Sequence, residues 1–167
     1  MRQPKVAVAT YVWNAEGTQI LISERLAGKM QGCWNLAGGH LEWMERPLYG
    51  AEREVKEETG LDIRRLEPLC FDYGESKEED HCWVVLFFCG VISPRHQPEN
   101  IEPDKNGPWT WVYPDGLVPE KLLTPAKRHL MKAKAWADAW RCQKCNNIID
   151  MDLGTKPILC SDCFYNR

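Results

Sequence analysis

Three glutamates pose the first chemical question. Glu54, Glu57 and Glu58 are spaced i, i+3, i+4, and at ~100° per residue a helix brings all three carboxylates onto one face. Uncompensated, they repel. Arg53 and Lys56 offer partial relief, so the triplet alone also fits an ordinary solvated helix face. The nearby Gly38-Gly39 pair shifts the balance, because glycines let backbone carbonyls and amides approach a ligand that side chains would block. Clustered carboxylate oxygens with a backbone carbonyl suit Mg²⁺ or Mn²⁺.

A second constellation closes the chain. Cys142 and Cys145, then fourteen intervening residues, then Cys160 and Cys163 form a C-x₂-C…C-x₂-C pattern, which reads as a tetrahedral four-thiolate Zn²⁺ site with no open position. Disulfide pairing and an Fe–S centre are the alternatives. The tail at 141–167 is too short to bury a core alone, so metal would supply its folding energy. Its basic Arg141, Lys144, Lys156 and Arg167 are opposed by Asp150, Asp152 and Asp162, so it presents no basic stripe. The other cysteines, Cys33, Cys70, Cys82 and Cys89, lie in apolar or strand-like runs and read as small hydrophobes.

The elements that must position the glutamates are legible around them. Leu48, Ala51, Val55 and Thr59 recur at spacings of three and four, with Pro47 suited to a first turn and Gly60 to a C′ position, so a helix is expected from Pro47 to Thr59. Before it, 5–13 and 19–23 read as a hairpin across Asn14-Ala15-Glu16-Gly17, and Cys33-Trp34-Asn35-Leu36 leads into the glycines. After it, strands are expected at 66–73 and 82–92, joined by an exposed turn through the charged run 75–80. The segment 94–108 reads as a long surface loop of functional type, followed by a strand at 109–113. Thr124-Pro125 opens a second helix to about Trp140, with Leu130, Ala133, Ala137 and Trp140 on its buried face.

Gly39, Glu45 and the run Arg53-Glu54-Val55-Lys56-Glu57-Glu58-Thr59-Gly60-Leu61 match the complete Nudix box in register, and residues 5–134 resemble a Nudix domain. Within that superfamily, 34–42 and Asn100-Ile101-Glu102-Pro103 are similar to small MutT-like enzymes acting on nucleoside triphosphates. Ala37 departs from the proline usual there. The resemblance implies an α/β fold, the Nudix α/β/α sandwich with a mixed sheet. It implies that Glu54, Glu57, Glu58 and the Gly38 carbonyl ligate Mg²⁺ or Mn²⁺, that Glu45 and Arg53 support them, and that Gly38 and Gly39 contact substrate. The base could be Glu57, Glu58, Glu102 or Asp104. Arg25 and Lys29 are candidate phosphate clamps, Trp34, Trp109 and Trp111 candidate stacking residues, and His40 a candidate substrate contact.

Two units are therefore expected: a Nudix domain at 1–140 and a zinc-ribbon-like tail at 141–167. The chain has 167 residues with 21 basic and 24 acidic side chains, a net charge of −3, which argues against a protein that mainly coats nucleic acid. No apolar run approaches a membrane span, and the N-terminal residues lack a secretory h-region, so a cytoplasmic location is expected. The expected activity is Mg²⁺-dependent hydrolysis of a nucleoside diphosphate-X linkage, first of all a nucleoside triphosphate to monophosphate and pyrophosphate. ADP-ribose, dinucleotide polyphosphates, NADH and capped RNA share that chemistry. A nucleotide- or RNA-binding module is the non-enzymatic alternative. A homodimer stays open.

Overall fold

The computed structural model describes residues 3–28, 30–76, 81–92, 96–115 and 121–139. Its elements are β1 (Lys5–Trp13), β2 (Ile20–Glu24), β3 (Trp34–Asn35), α1 (Pro47–Thr59), β4 (Ile63–Ser76), β5 (His81–Ile92), β6 (Thr110–Val112) and α2 (Thr124–Ala139). The six strands form one mixed sheet in the order β3-β2-β1-β5-β4, with β6 pairing β2. β1 and β5 run parallel, from Lys5 opposite Trp83 to Trp13 opposite Val91. The other pairings are antiparallel.

Alternation along β1 explains why each face carries a helix. Tyr11 and Trp13 join Ile20, Ile22, Phe87, Cys89 and Val91 in a core closed by Ala126, Leu130, Ala133 and Ala137 of α2. Val8 and Val12 point the other way, into clusters that contain Ala51 and Val55 of α1. Period two in the strands thus meets period 3.6 in the helices. The buried Tyr11 hydroxyl donates to the Ala126 carbonyl, tying α2 to the central strand. No helix among the described residues is long and apolar enough to cross a membrane.

α1 has the expected bounds. Pro47 opens it, and Gly60 closes it at φ 71°, its N–H donating to the Lys56 carbonyl. That left-handed cap is a conformation glycine adopts without a Cβ penalty. Leu48, expected on the buried face, is instead exposed. The first turn makes its contact through Gly50 and Ala51: a Cβ on Gly50 would lie 2.5 Å from Leu41 Cδ2 and 2.9 Å from Glu45 Oε2. The absent side chain lets the preceding loop lie against the helix.

β2 spans Ile20–Glu24 rather than 19–23, and β6 is only Thr110–Val112. The larger departure is β4, which extends three residues earlier and three later than expected. Its added residues include the exposed Arg64 and Glu75, charges an edge strand carries at its solvated side. Glu75 and Ser76 therefore belong to the strand, not to the turn. The rest of that turn at 77–80, and Trp140, lie outside the described residues.

Candidate active site

The glycine loop is stitched to β1 at alternate residues: Thr10 N–H donates to the Ala37 carbonyl (2.9 Å) and Val8 N–H to the Gly39 carbonyl (2.8 Å). Gly38, between them, directs its N–H to α1, where it donates to Glu58 Oε2 at 3.0 Å. Gly38 is sterically required by backbone, and Gly39 leaves the space that the Glu54 carboxylate fills. A Cβ on residue 38 would stand 2.2 Å from the Val8 carbonyl oxygen, and one on residue 39 would stand 2.5 Å from Glu54 Oε1. The helical carboxylates thus rest directly against backbone.

Arg53 organises the acidic side chains. Its Nε and Nη2 grip Glu45 Oε1 (2.8 Å) and Oε2 (2.9 Å), while Nη1 donates to Glu54 Oε1 (3.0 Å) and Glu57 Oε2 (2.9 Å). A further bond reaches the His40 carbonyl at 3.2 Å. Such a fork is the guanidinium's speciality. Hydrogen bonding from Arg53, with the Glu42 N–H, draws Glu45 down to about 2, and those carboxylates in turn hold the Arg53 proton more tightly.

Glu54 and Glu58 lie in different electrostatic settings. Burial pushes Glu54 up despite the adjacent Arg53. Glu58 is pushed up to about 7, chiefly by burial, which outweighs the Gly38 and Asn106 amides that donate to it; Glu54 and Glu102 add repulsion. Among the described residues no three His, Cys, Asp or Glu side chains converge on a single point. The carboxylates bond instead to Arg53 and to the amide donors of Gly38 and Asn106. The donor set is nonetheless all hard oxygen, the chemistry that suits Mg²⁺ or Mn²⁺.

The loop after β5 completes the site. It docks on the end of α1 through Glu99 N–H to the Thr59 carbonyl (2.9 Å), Ile101 N–H to the Glu58 carbonyl (3.4 Å) and Trp109 Nε1 to the same carbonyl (3.0 Å). Buried Asn106 donates from Nδ2 to Glu58 Oε1 at 3.3 Å. Sequence reasoning missed Asn106 and this use of Trp109. No local periodicity reports a contact across 48 or 51 residues.

The remaining candidates divide. Glu102 pairs with Lys105 at 2.6 Å and acts electrostatically on both Glu54 and Glu58, whereas Asp104 is exposed. Arg25 bridges Asn106 across the sheet edge, and its Nε is buried with no hydrogen-bond partner among the described residues. Lys29 lies outside them. The His40 ring lies against Trp83, tilted by 45° with centroids 5.1 Å apart; its bridge to Ala7 puts it on the face opposite α1. Trp34 and Trp111 pack against core clusters. Cys142, Cys145, Cys160 and Cys163 lie outside the described residues, while Cys33, Cys70, Cys82 and Cys89 are free thiols.

A family model described as NUDIX domain matches residues 3–134. An RNA pyrophosphohydrolase of Erythrobacter litoralis is 28% identical over 142 residues, covering 72% of this chain and 81% of that one. An isopentenyl-diphosphate Δ-isomerase of Clavibacter sepedonicus is 29% identical over 124 residues, covering 72% of this chain and 65% of its own length. Sequence similarity therefore reaches proteins of different named activity. The crystal structure of a MutT NUDIX hydrolase from Burkholderia pseudomallei superposes with a TM-score of 0.71 at 26% identity, over 78% of this chain and 98% of that one.

The Glu58 environment gives a signed prediction for the metal-free protein. A carboxyl raised from 4.5 to about 7 on folding binds more protons in the native state across that window, so its stabilising contribution is complete below pH ~4.5 and is lost as pH rises towards 7. Melting temperature measured in EDTA should fall across this range, and Glu58→Gln should flatten the fall. Equal slopes for wild type and variant would contradict the assignment. Glu45 acts at lower pH, because its pKa is depressed.

Proposed function

The chain belongs to the NUDIX family and is a Nudix pyrophosphohydrolase, and from that premise we propose that it hydrolyses a nucleoside diphosphate-X linkage with Mg²⁺ or Mn²⁺. The favoured substrate is a ribo- or deoxynucleoside triphosphate, cleaved to monophosphate and pyrophosphate. One observation carries the reading: Arg53 gathers Glu45, Glu54 and Glu57 beside a glycine loop whose Gly38 N–H holds Glu58.

Glu54, Glu57, Glu58 and the Gly38 carbonyl are the proposed ligands. Bound divalent ions screen the anionic diphosphate and lower the pKa of bound water. The chain's own residues do the rest. Arg53 and Glu45 keep the helical carboxylates oriented, Gly39 leaves room for them, and the docked loop brings Glu102 towards them. Water oxygen forms the new bond to phosphorus, the bridging P–O bond breaks, and a carboxylate takes the water proton. Glu58, with its raised proton affinity, and Glu102 are the two bases in contention.

A second reading has its own support. The similarity to an RNA pyrophosphohydrolase favours the 5′-triphosphate end of RNA, where the same linkage is cut. Incubation with Mg²⁺ and a panel of nucleoside triphosphates, ADP-ribose, NADH, dinucleotide polyphosphates and a 5′-triphosphorylated oligoribonucleotide separates the readings. Monophosphate plus pyrophosphate from free nucleotides is the expected result, falling by ~100-fold or more in Glu57→Gln. No turnover of any member, with Mn²⁺ also tried, would contradict the proposal.

The tail carries a separate part. Cys142, Cys145, Cys160 and Cys163 are proposed to hold one structural Zn²⁺ as four thiolates in a zinc-ribbon-like unit. The four free thiols elsewhere in the chain fit a reducing, cytoplasmic home in which these four also stay reduced. Elemental analysis of the purified full chain should find about one zinc per chain, lost on replacing Cys142 and Cys145 with serine. A zinc-free protein with the tail cysteines in disulfides would contradict this.

A further inference from the structure

We infer that Asn106 is a positioning residue that couples the loop carrying Glu102 to the carboxylate of Glu58; this rests on the metal-dependent reading above. The geometry is that of a hub. The Asn106 side chain donates to Glu58 Oε1 at 3.3 Å, its N–H donates to the Glu102 carbonyl at 3.0 Å, and its own carbonyl accepts from Asn100 Nδ2 at 2.8 Å. It also bridges Arg25 at the end of β2. A single residue only 3% exposed therefore touches the helix through its side chain, and the loop and the sheet edge through its backbone.

Glu58 has two anchors of opposite origin. Oε2 is held by the Gly38 N–H, which the glycine loop and β1 fix in place, and Oε1 is held by Asn106. Two donors on two oxygens set the plane of the carboxylate; one donor would leave it free to rotate. Rotation would matter here, because Glu58 is buried and Arg53, which restrains Glu54 and Glu57, makes no bond to it. Partners that orient ligand carboxylates in this way typically contribute ~10–100-fold in metal affinity.

The same residue sets the position of Glu102. The N–H groups of Lys105 and Asn106 both donate to the Glu102 carbonyl at 3.0 Å, and Lys105 Nζ pairs with its carboxylate at 2.6 Å. Asn100 closes the turn from the other side. Asn106 thus fixes Glu102 relative to Glu58 through bonds at both ends of one residue.

Ser23 supplies an internal control. Its hydroxyl donates to the Gly107 carbonyl at 2.7 Å, so it anchors the same loop one residue further on without touching Glu58. Mn²⁺ affinity, measured on the metal alone from the free-ion paramagnetic resonance signal without nucleotide, should weaken ~10-fold or more in Asn106→Ala and stay near wild type in Ser23→Ala. Both variants should melt lower. In turnover assays Asn106→Ala should lower kcat more than it raises KM. Asn106→Leu keeps the volume while removing the donor, and it provides the measurement should the alanine variant fail to fold.

Folded Asn106 variants that bind Mn²⁺ as wild type does would overturn the inference and leave the metal site standing. Wild-type protein that binds no Mn²⁺, or binds it unchanged in Glu57→Gln, would instead overturn the metal-dependent reading.

Discussion

Glu45, Glu54 and Glu57 crowd together beside the glycine loop, and the Arg53 guanidinium is what permits them to do so. Like charges on adjacent helical turns repel; here a planar fork satisfies Glu45 with two bonds and reaches Glu54 and Glu57 with a third nitrogen. The surrounding sequence obeys the geometry this requires. Gly50 lets the loop bearing Glu45 close on α1, and Gly39 lets Glu54 lie against the loop backbone. Each glycine stands where a Cβ would displace an oxygen of the network.

Glu58 stands apart from that arrangement. Its donors are amides rather than the guanidinium, and burial outweighs them and pushes it up to about 7, while hydrogen bonding from Arg53 draws Glu45 down to about 2. One helix face therefore offers carboxylates in two settings: Glu54 and Glu57 bonded to the arginine, and the buried Glu58 bonded to amides. The Arg53 fork, the Gly38 N–H and the Asn106 side chain hold these carboxylates in place, as the proposed divalent-ion site requires.

What could be read from sequence follows the range of the interaction. The bounds of α1 were legible because Pro47 and Gly60 act locally, and the shared face of Glu54, Glu57 and Glu58 follows from helical spacing. Leu48 misled because its place in the period was right while the contact at that turn belongs to Gly50 and Ala51. The full length of β4 was hidden by charged residues on an edge strand, where alternation weakens. Parallel pairing of β1 with β5 and the bond from Asn106 to Glu58 join residues far apart in the chain. The loop was recognisable as functional, yet its anchor was invisible until the fold brought it to the helix.

The central claim is that the fork geometry of Arg53, beyond its charge, organises a metal-dependent hydrolytic site. Arg53→Lys tests it most directly, since lysine keeps the charge but lacks the planar fork that bonds three carboxylates at once. With the product assay run at saturating Mg²⁺, kcat/KM should fall ~100-fold or more while the folded fraction stays near wild type. A lysine variant with wild-type kcat/KM would show that any cation at this position suffices, and would contradict the account.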